Sequence, residues 1–135
     1  MKIPLEPGMA HTIEDTVRPE WTIAHYDKNL PPVLSTPAMI GLMEWAASEV
    51  MRPHLPPGSI SVGTHINVKH LASARVGTTI RATARFRETD GRFYVFDVEA
   101  QDSQPAAAGQ RTLGRGTVTR AIVERSRFTA KSQGE

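Results

Sequence analysis

One segment constrains the fold of this chain more than any other, because it has the length of a helix and is apolar on nearly every side. It runs from Pro37 to Arg52, and prolines and a glycine between residues 53 and 58 stop it. Its apolar members are Ala38, Met39, Ile40, Leu42, Met43, Trp45, Ala46, Ala47, Val50 and Met51. A helix without a polar face is normally buried on most of its sides. The rest of the chain must therefore supply a surface that wraps around it.

After residue 58 the apolar residues recur at every second position, which is the period of a half-buried strand. The alternating runs are Ile60, Val62, Thr64, Ile66, Val68 and His70, then Ile80, Ala82, Ala84 and Phe86, then Tyr94, Phe96, Val98 and Ala100. Asp90-Gly91 precedes the last run and predicts a hairpin turn in which both central residues can take positive φ. Weaker patterns predict a first strand at His11 to Arg18, a loop at Ser103 to Gly109 and a last strand at Arg111 to Glu124.

The element order is therefore a strand, one buried helix and several antiparallel strands. A strongly curved antiparallel sheet is the surface that can wrap a single apolar helix. The sequence thus predicts an α+β protein with the hotdog fold. Because 135 residues fit one core of ordinary size, we predict a single domain over residues 1–135, with loose termini at about 1–10 and 126–135.

Composition excludes several classes of function. The chain has no cysteine, which excludes a disulfide scaffold, a thiolate metal site and a cysteine nucleophile. Its net charge is only +2 and it has no dense block of Lys and Arg, which argues against nucleic acid as a partner. No apolar run approaches the ~20 residues of a membrane span, and residues 1–10 do not resemble a signal peptide. We therefore predict a cytoplasmic protein without a membrane partner.

Glu44 is the first residue that could carry chemistry, because it lies in the most apolar stretch of the chain, residues 40–47. Burying a lone carboxylate costs several kcal/mol unless it is paired or hydrogen-bonded. The structural alternative is that Glu44 reaches a helix edge or pairs with an arginine. Glu49, by contrast, lies beside the helix end near Arg52 and is interpreted as a surface acid.

Thr36 and His70 are the other two candidates. Thr36 is predicted to cap the helix ahead of a proline at the first helical position. It precedes Glu44 by eight residues, so both fall roughly on one stripe of the helix and could face one cavity. Counting by twos from Ile60 places His70 on the apolar face of its strand, where a histidine is either a satisfied core residue or a catalytic one.

The sequence predicts no cofactor and no metal site. His11, His25 and His54 have no partner at ligand spacing, and no HxH or HExxH pattern occurs. The chain also lacks a GxSxG elbow, a GxxxxGK[ST] phosphate loop and a GxGxxG dinucleotide turn. Gly114-Arg115-Gly116 lies within a predicted strand and indicates a bulge or a close approach of two backbones.

Three motifs follow one another along the chain: Ser35 to Ala46, Val62 to Ala72 with Val76-Gly77, and Gly114 to Thr117 with Arg120. Arg127-Phe128 and Ala130-Lys131 then close the sequence. In this order the motifs resemble those of the fluoroacetyl-CoA-thioesterase-like hotdog family. The likeness covers about residues 10 to 131.

The resemblance implies an acyl-CoA thioesterase that works as a homodimer with active sites at the subunit interface. It implies a catalytic set of Thr36, Glu44 and His70, the same residues that the pattern analysis isolates. Glu44 would act as general base on water or as nucleophile on the thioester carbonyl, and His70 would assist proton transfer to the leaving thiolate. Substrate binding falls on Gly63, Thr64 and Arg120.

Two departures from the family limit what can be carried over. The final-strand motif commonly contains a histidine where this chain has Val118, and the segment Asp27 to Leu34 contains no phenylalanine. We therefore predict hydrolysis of a small or medium acyl-CoA, and not of fluoroacetyl-CoA in particular. The alternatives are a non-hydrolytic acyl-CoA binding or sensing module, which Val118 supports best, and an enoyl-CoA hydratase, whose motifs this chain does not resemble.

Overall fold

The computed structural model of this chain describes residues 2–103 and 111–134, so the predicted loop lies outside the described residues after Ser103. The strands are β1 (Ala10–Thr16), β2 (Ser59–His70), β3 (Thr79–Thr89), β4 (Phe93–Asp102) and β5 (Arg111–Glu124), and the α-helices are α1 (Thr36–Met51) and α2 (Arg125–Ser132). Short 3₁₀ turns cover Pro19–Trp21, Ile23–His25 and Arg52–His54. None of the helices within the described ranges is both long and apolar enough to cross a membrane.

The five strands form one sheet in the order β1-β3-β4-β5-β2, and each neighbouring pair is antiparallel. α1 packs against the concave face of this sheet and contacts every strand. The predicted α+β hotdog architecture is confirmed. β2 lies at one edge of the sheet, so its outer backbone groups have no strand partner among the residues that the structure describes.

The core is the contact layer between α1 and the sheet. From the helix it takes Met39, Leu42, Met43, Ala46, Ala47, Val50 and Met51. From the strands it takes Ile80, Ala82, Ala84, Phe86, Tyr94, Phe96, Val98, Ala100, Leu113 and Val118. The alternation predicted for β3 and β4 is confirmed by these residues. The helix keeps one exposed stripe along Pro37, Gly41 and Trp45, so it is enclosed on most sides but not on all.

A β-bulge in β2 overturns one sequence prediction. The register between β2 and β5 pairs Gly63 with Arg120 but His65 with Thr119, so Thr64 is an extra residue on β2. An extra residue switches the alternation of side chains along the strand. Counting by twos across this position is therefore invalid.

The partners on β5 show which residues of β2 face α1. Val118 and Arg120 are buried beneath the helix, and directly paired residues share a sheet face. Gly63, the partner of Arg120, therefore faces α1, as does Ser61 two residues earlier.

Beyond the bulge Ile66 pairs with Val118, so Ile66, Val68 and His70 face α1 too. The prediction for His70 holds, whereas Ile60 and Val62 lie on the convex face.

The hairpin between β3 and β4 forms where Asp90-Gly91 predicts it, but with a different turn. Only Gly91 takes positive φ, at 95°, and the connection has three residues. The Asp90 carboxylate accepts hydrogen bonds from the backbone N–H of Arg92 at 2.9 Å and of Phe93 at 2.8 Å. These two bonds, that from Phe93 first, lower the pKa of Asp90 below its usual range. The side chain thus closes a turn for which positive φ at Asp90 is not needed.

Both predicted loose termini contain ordered contacts. Ile3 is only 3% exposed, and its backbone N–H donates to the Tyr94 hydroxyl at 3.0 Å. At the other end, Arg125–Ser132 forms α2, which begins directly after β5. One inward apolar residue makes no periodic pattern, and a helix of eight residues is too short to show a clear one. The sequence patterns therefore predicted neither feature.

We expect Met43→Ala to lower the free energy of unfolding by about 2–5 kcal/mol, because Met43 is fully enclosed in the core and its removal leaves a cavity. Met9→Ala is the matched control. Met9 is exposed, so its loss should change the free energy of unfolding by no more than about 0.5 kcal/mol. Urea denaturation followed by circular dichroism measures both. Equal effects would contradict the helix-to-sheet core described above.

Candidate active site

Thr36 does not cap α1, contrary to the sequence prediction. The cap is Ser35, whose side-chain oxygen accepts from the backbone N–H of Ala38 at 3.2 Å. Thr36 is the first residue of the helix and Pro37 the second. Because Ser35 satisfies the helix end, the hydroxyl of Thr36 is available for another partner.

That partner is His70. The Thr36 hydroxyl lies 2.8 Å from His70 Nδ1, a hydrogen bond between the start of α1 and the end of β2. Gly114 stands opposite His70 on β5, where a Cβ would come within 2.5 Å of the Met39 side chain. The missing side chain lets the core close tightly beside the histidine. The other ring nitrogen, Nε2, is buried and has no hydrogen-bond partner in the described part of the chain.

Glu44 forms a second pair on the same helix. Its Oε2 lies 3.1 Å from Nη1 of Arg120, and its side chain is 24% exposed. A Cβ on Gly63 would fall 2.1 Å from Oε2, so the carboxylate lies directly against the backbone of β2. Oε1, like Nε2 of the histidine, is buried without a hydrogen-bond partner among the described residues.

Arg120 is held beneath α1 and does not extend into solvent. It is 8% exposed, donates from Nε to Ser61 Oγ at 3.1 Å and donates from Nη2 to the Ser61 backbone oxygen at 3.0 Å. Buried arginine needs such partners, because an unpaired buried charge is strongly destabilising. The structural alternative considered for Glu44, a pair with an arginine, is therefore realised.

The substrate-binding residues predicted on β2 occupy the bulge. Gly63 supplies the surface against which Glu44 rests, and Thr64 is exposed with its hydroxyl 3.2 Å from the Thr119 backbone oxygen. Glu49 pairs with Arg52 at 2.7 Å on the exposed end of α1, as expected for a surface acid. It is thus separate from the candidate site.

The predicted catalytic residues fall into two separate pairs instead of one cluster, Thr36 with His70 and Glu44 with the predicted binding residue Arg120. Thr36 and Glu44 are eight residues apart on α1, which places their backbones about 12 Å apart along the helix axis. Their partner positions on β2, His70 and Gly63, are about 20 Å apart along the strand. No hydrogen bond or ion pair in the described residues joins the two pairs.

The two orphaned atoms identify what the site could do. A buried polar atom without a partner costs about 1–3 kcal/mol, so such atoms are rare unless a ligand or a reaction uses them. Here one belongs to a carboxylate and the other to an imidazole. These are the groups that serve as base, nucleophile and proton donor in hydrolytic sites.

Ser61 is the site residue that the sequence analysis did not identify. Its signal was hidden by the bulge, because counting from Ile60 placed Ser61 on the wrong face. Within the described ranges, no group of three or more His, Asp or Glu side chains could hold a metal ion.

Several known proteins are similar to this chain in sequence and in structure. Residues 17–126 match the family model described as fluoroacetyl-CoA-specific thioesterase. A fluoroacetyl-CoA thioesterase of Streptantibioticus cattleyicolor is 36% identical over 137 residues, covering 97% of this chain and 94% of that protein. A solved structure of a fluoroacetyl-CoA thioesterase matches with a TM-score of 0.86 at 34% identity and 97% coverage of both chains. A mutant of such an enzyme in complex with acetyl-CoA matches with a TM-score of 0.88 at 33% identity, covering 96% of this chain and 98% of that one.

The assignment of the helix cap predicts opposite outcomes for two adjacent residues. Ser35→Ala should lower the free energy of unfolding by about 1 kcal/mol, because it removes the acceptor for the N–H of Ala38. Thr36→Val, made in a His70→Ala background so that no hydrogen bond to the ring is lost, keeps the shape of the side chain and should change the free energy of unfolding by no more than about 0.5 kcal/mol. Thermal and urea unfolding of both variants measure this. A larger loss for Thr36→Val would return the capping role to Thr36.

Proposed function

This chain belongs to the fluoroacetyl-CoA-specific thioesterase family, and on that premise we propose that it hydrolyses a small or medium acyl-CoA to the free acid and CoA. It is thus a thioester hydrolase. The observation that carries the proposal is the pair of orphaned reactive atoms, Glu44 Oε1 on α1 and His70 Nε2 on the face of β2 that meets α1. Acyl-CoA as substrate is supported by the relative that binds acetyl-CoA.

In the proposed reaction, the oxygen of a water molecule or of Glu44 adds to the thioester carbonyl carbon, and the C–S bond then breaks. As general base, Glu44 would remove a proton from the attacking water. As nucleophile, it would form an anhydride that water hydrolyses. In either case the thiolate of CoA leaves and requires a proton. The backbone of Gly63 lies against the carboxylate, and its N–H is proposed to stabilise the oxyanion.

The hydrogen bond to Thr36 favours His70 as the proton donor. We propose that Nδ1–H donates to the Thr36 hydroxyl oxygen, one of the two directions that this contact allows. A neutral imidazole that carries its proton on Nδ1 has a free lone pair on Nε2. Nε2, the orphaned nitrogen, takes up a proton from the attacking water or from solvent, and the imidazolium then passes that proton to the leaving sulfur and returns to the neutral ring. Thr36 thereby fixes the tautomer and orientation of His70.

We propose a homodimer, which the edge position of β2 supports. Within the described ranges the twelve residues of this strand have a strand neighbour on one side only, and Ile66 on its concave face is 40% exposed. A long unprotected edge is a template for pairing with another strand. A second copy that adds its own β2 in the antiparallel direction would satisfy the backbone and cover Ile66 under two-fold symmetry.

The same pairing would complete the active site. A two-fold axis near Ile66 and Asn67 lies midway between Gly63 and His70. It would place the Gly63 end of one β2 beside the His70 end of the other. Glu44 of one protomer would then meet the Thr36–His70 pair of its partner. This proposal explains why one chain alone keeps the two pairs apart.

The specific acyl group is proposed to differ from fluoroacetyl. Segment 27–34 carries no phenylalanine, and of its two leucines Leu34 is buried in the core while Leu30 is exposed. We further propose that the protein acts in the cytoplasm. The single domain over residues 1–135 likewise remains a proposal, supported by one continuous core.

A non-hydrolytic acyl-CoA module is the second candidate, and one observation favours it. Val118, which stands where the family commonly has a histidine, is fully buried against the core and offers no titratable group. Loss of a proton carrier is compatible with binding that does not lead to turnover. The carboxylate and imidazole retained nearby favour hydrolysis.

Thiol release from a panel of acyl-CoAs should show turnover of one chain-length class by the wild type. Glu44→Gln should lower kcat by at least about 10²-fold, because it removes the base or nucleophile but keeps a hydrogen-bonding partner for Arg120. Glu49→Gln is the matched control on the same helix and should turn over at the wild-type rate. Binding of acyl-CoA without release of thiol from any substrate would favour the binding module.

The composite site predicts complementation between two inactive variants. A heterodimer of one Glu44→Gln chain and one His70→Ala chain keeps both residues in one of its two sites. Purified through two different tags, it should show about half the wild-type rate per dimer. If each site used the residues of a single chain, the same heterodimer would be inactive. An enzyme that is monomeric while turning over substrate would also contradict the composite site.

A further inference from the structure

We propose that Ser61 is a positioning residue for the reaction, because it holds Arg120 in the orientation that fixes Glu44. This inference rests on the proposed thioester hydrolysis and deepens it. Ser61 touches neither of the orphaned atoms, so its effect would pass entirely through the guanidinium group. This positioning explains how Glu44, a flexible side chain among apolar residues, presents a defined oxygen to the substrate.

Three contacts fix the guanidinium plane of Arg120. Nε donates to Ser61 Oγ at 3.1 Å, and Nη2 donates to the Ser61 backbone oxygen at 3.0 Å. The remaining terminal nitrogen, Nη1, lies 3.1 Å from Glu44 Oε2. The guanidinium group is planar and rigid, so fixing two of its nitrogens fixes the direction of the third. One serine therefore determines where Arg120 meets the carboxylate.

The position of Ser61 depends on the bulge at Thr64. Ser61 lies two residues before Gly63 on the concave face, and Gly63 is the strand partner of Arg120. A short side chain at this diagonal position places a hydroxyl within reach of Nε without filling the space that Glu44 occupies. Without the hydroxyl, the Nε–H would be left without its acceptor in a side chain that is 10% exposed.

The consequence is a division of labour between the two oxygens of Glu44. Oε2 is occupied, between Nη1 of Arg120 and the backbone of Gly63. Oε1 has no partner among the described residues. Glutamate has three rotatable side-chain bonds, and ordering them costs free energy. A fixed guanidinium removes this freedom before substrate binds and leaves Oε1 for water or for the thioester carbon.

The family resemblance predicts that Arg120 binds the substrate, and the same contacts argue for a different role. All three guanidinium nitrogens are engaged with Ser61 and Glu44, and the residue is nearly buried. Arg120 is therefore placed to act on the substrate through Glu44. We accordingly assign it, with Ser61, to positioning.

Kinetics of Ser61→Ala and Ser61→Thr test this role. The alanine variant should lower kcat roughly tenfold, less than the about hundredfold loss from moving a reacting group by about 1 Å. Its KM should move by no more than about twofold, because binding is largely retained. The threonine variant keeps the hydroxyl and should recover most of the rate. Ser59→Ala is the matched control on β2, since the Ser59 hydroxyl bonds the Pro56 backbone oxygen and does not contact Arg120.

A second measurement does not depend on turnover. The Nε–H proton of Arg120 should exchange slowly with water in the wild type and in Ser59→Ala, and much faster in Ser61→Ala, as followed by NMR of the arginine side chains. Unchanged kcat in Ser61→Ala, or unchanged exchange of this proton, would overturn the positioning role while leaving the proposed hydrolysis intact. Absence of thioester turnover in the wild type would overturn the proposed function, and with it the catalytic meaning of the contact.

Discussion

Enclosure of α1 by the concave face of the sheet is the interaction on which the rest of this structure depends. The helix has apolar side chains almost all the way round, so it is stable only where a curved surface removes them from water. The sheet meets that demand with inward residues from every strand. Because Thr36 and Glu44 are part of the same helix, burial of its core residues also positions the candidate catalytic groups. Stability and site geometry therefore share one origin.

β2 supplies the residues that meet the candidate catalytic groups of the helix. Its bulge at Thr64 lets residues on both sides of an interrupted alternation face the helix, so Gly63 meets Glu44 while His70 meets Thr36. Its position at the sheet edge leaves the other side of the strand unpaired. The proposed dimer uses that edge, and the proposed hydrolysis needs it, because the two reactive pairs are separated along a single chain. An unpaired strand edge promotes aggregation, and in the proposed dimer the β2 strand of the second copy covers it.

Arg120 shows how local polar contacts adapt the common fold. A buried arginine and a partly buried carboxylate are each costly alone and tolerable together when further hydrogen bonds satisfy them. Ser61 supplies those bonds from both its side chain and its backbone. The fold itself carries many chemistries, so only such site contacts narrow the function. In this protein those contacts hold one oxygen, Oε2, of the Glu44 carboxylate.

The sequence by itself determined the fold class and the helix and strands to within a few residues, and it singled out Thr36, Glu44 and His70 as candidates. Those features depend on local periodicity, on a carboxylate among apolar neighbours and on motif order, all of which are written along the chain. Only the tertiary structure decided that Ser35 caps the helix, that Thr64 interrupts the alternation and that Ser61 and Arg120 hold Glu44. It also showed the packing of Ile3 and the presence of α2. The reason is physical: a bulge and a salt bridge between distant strands depend on what lies opposite in space, and hydrophobic periodicity reports only what lies adjacent in sequence.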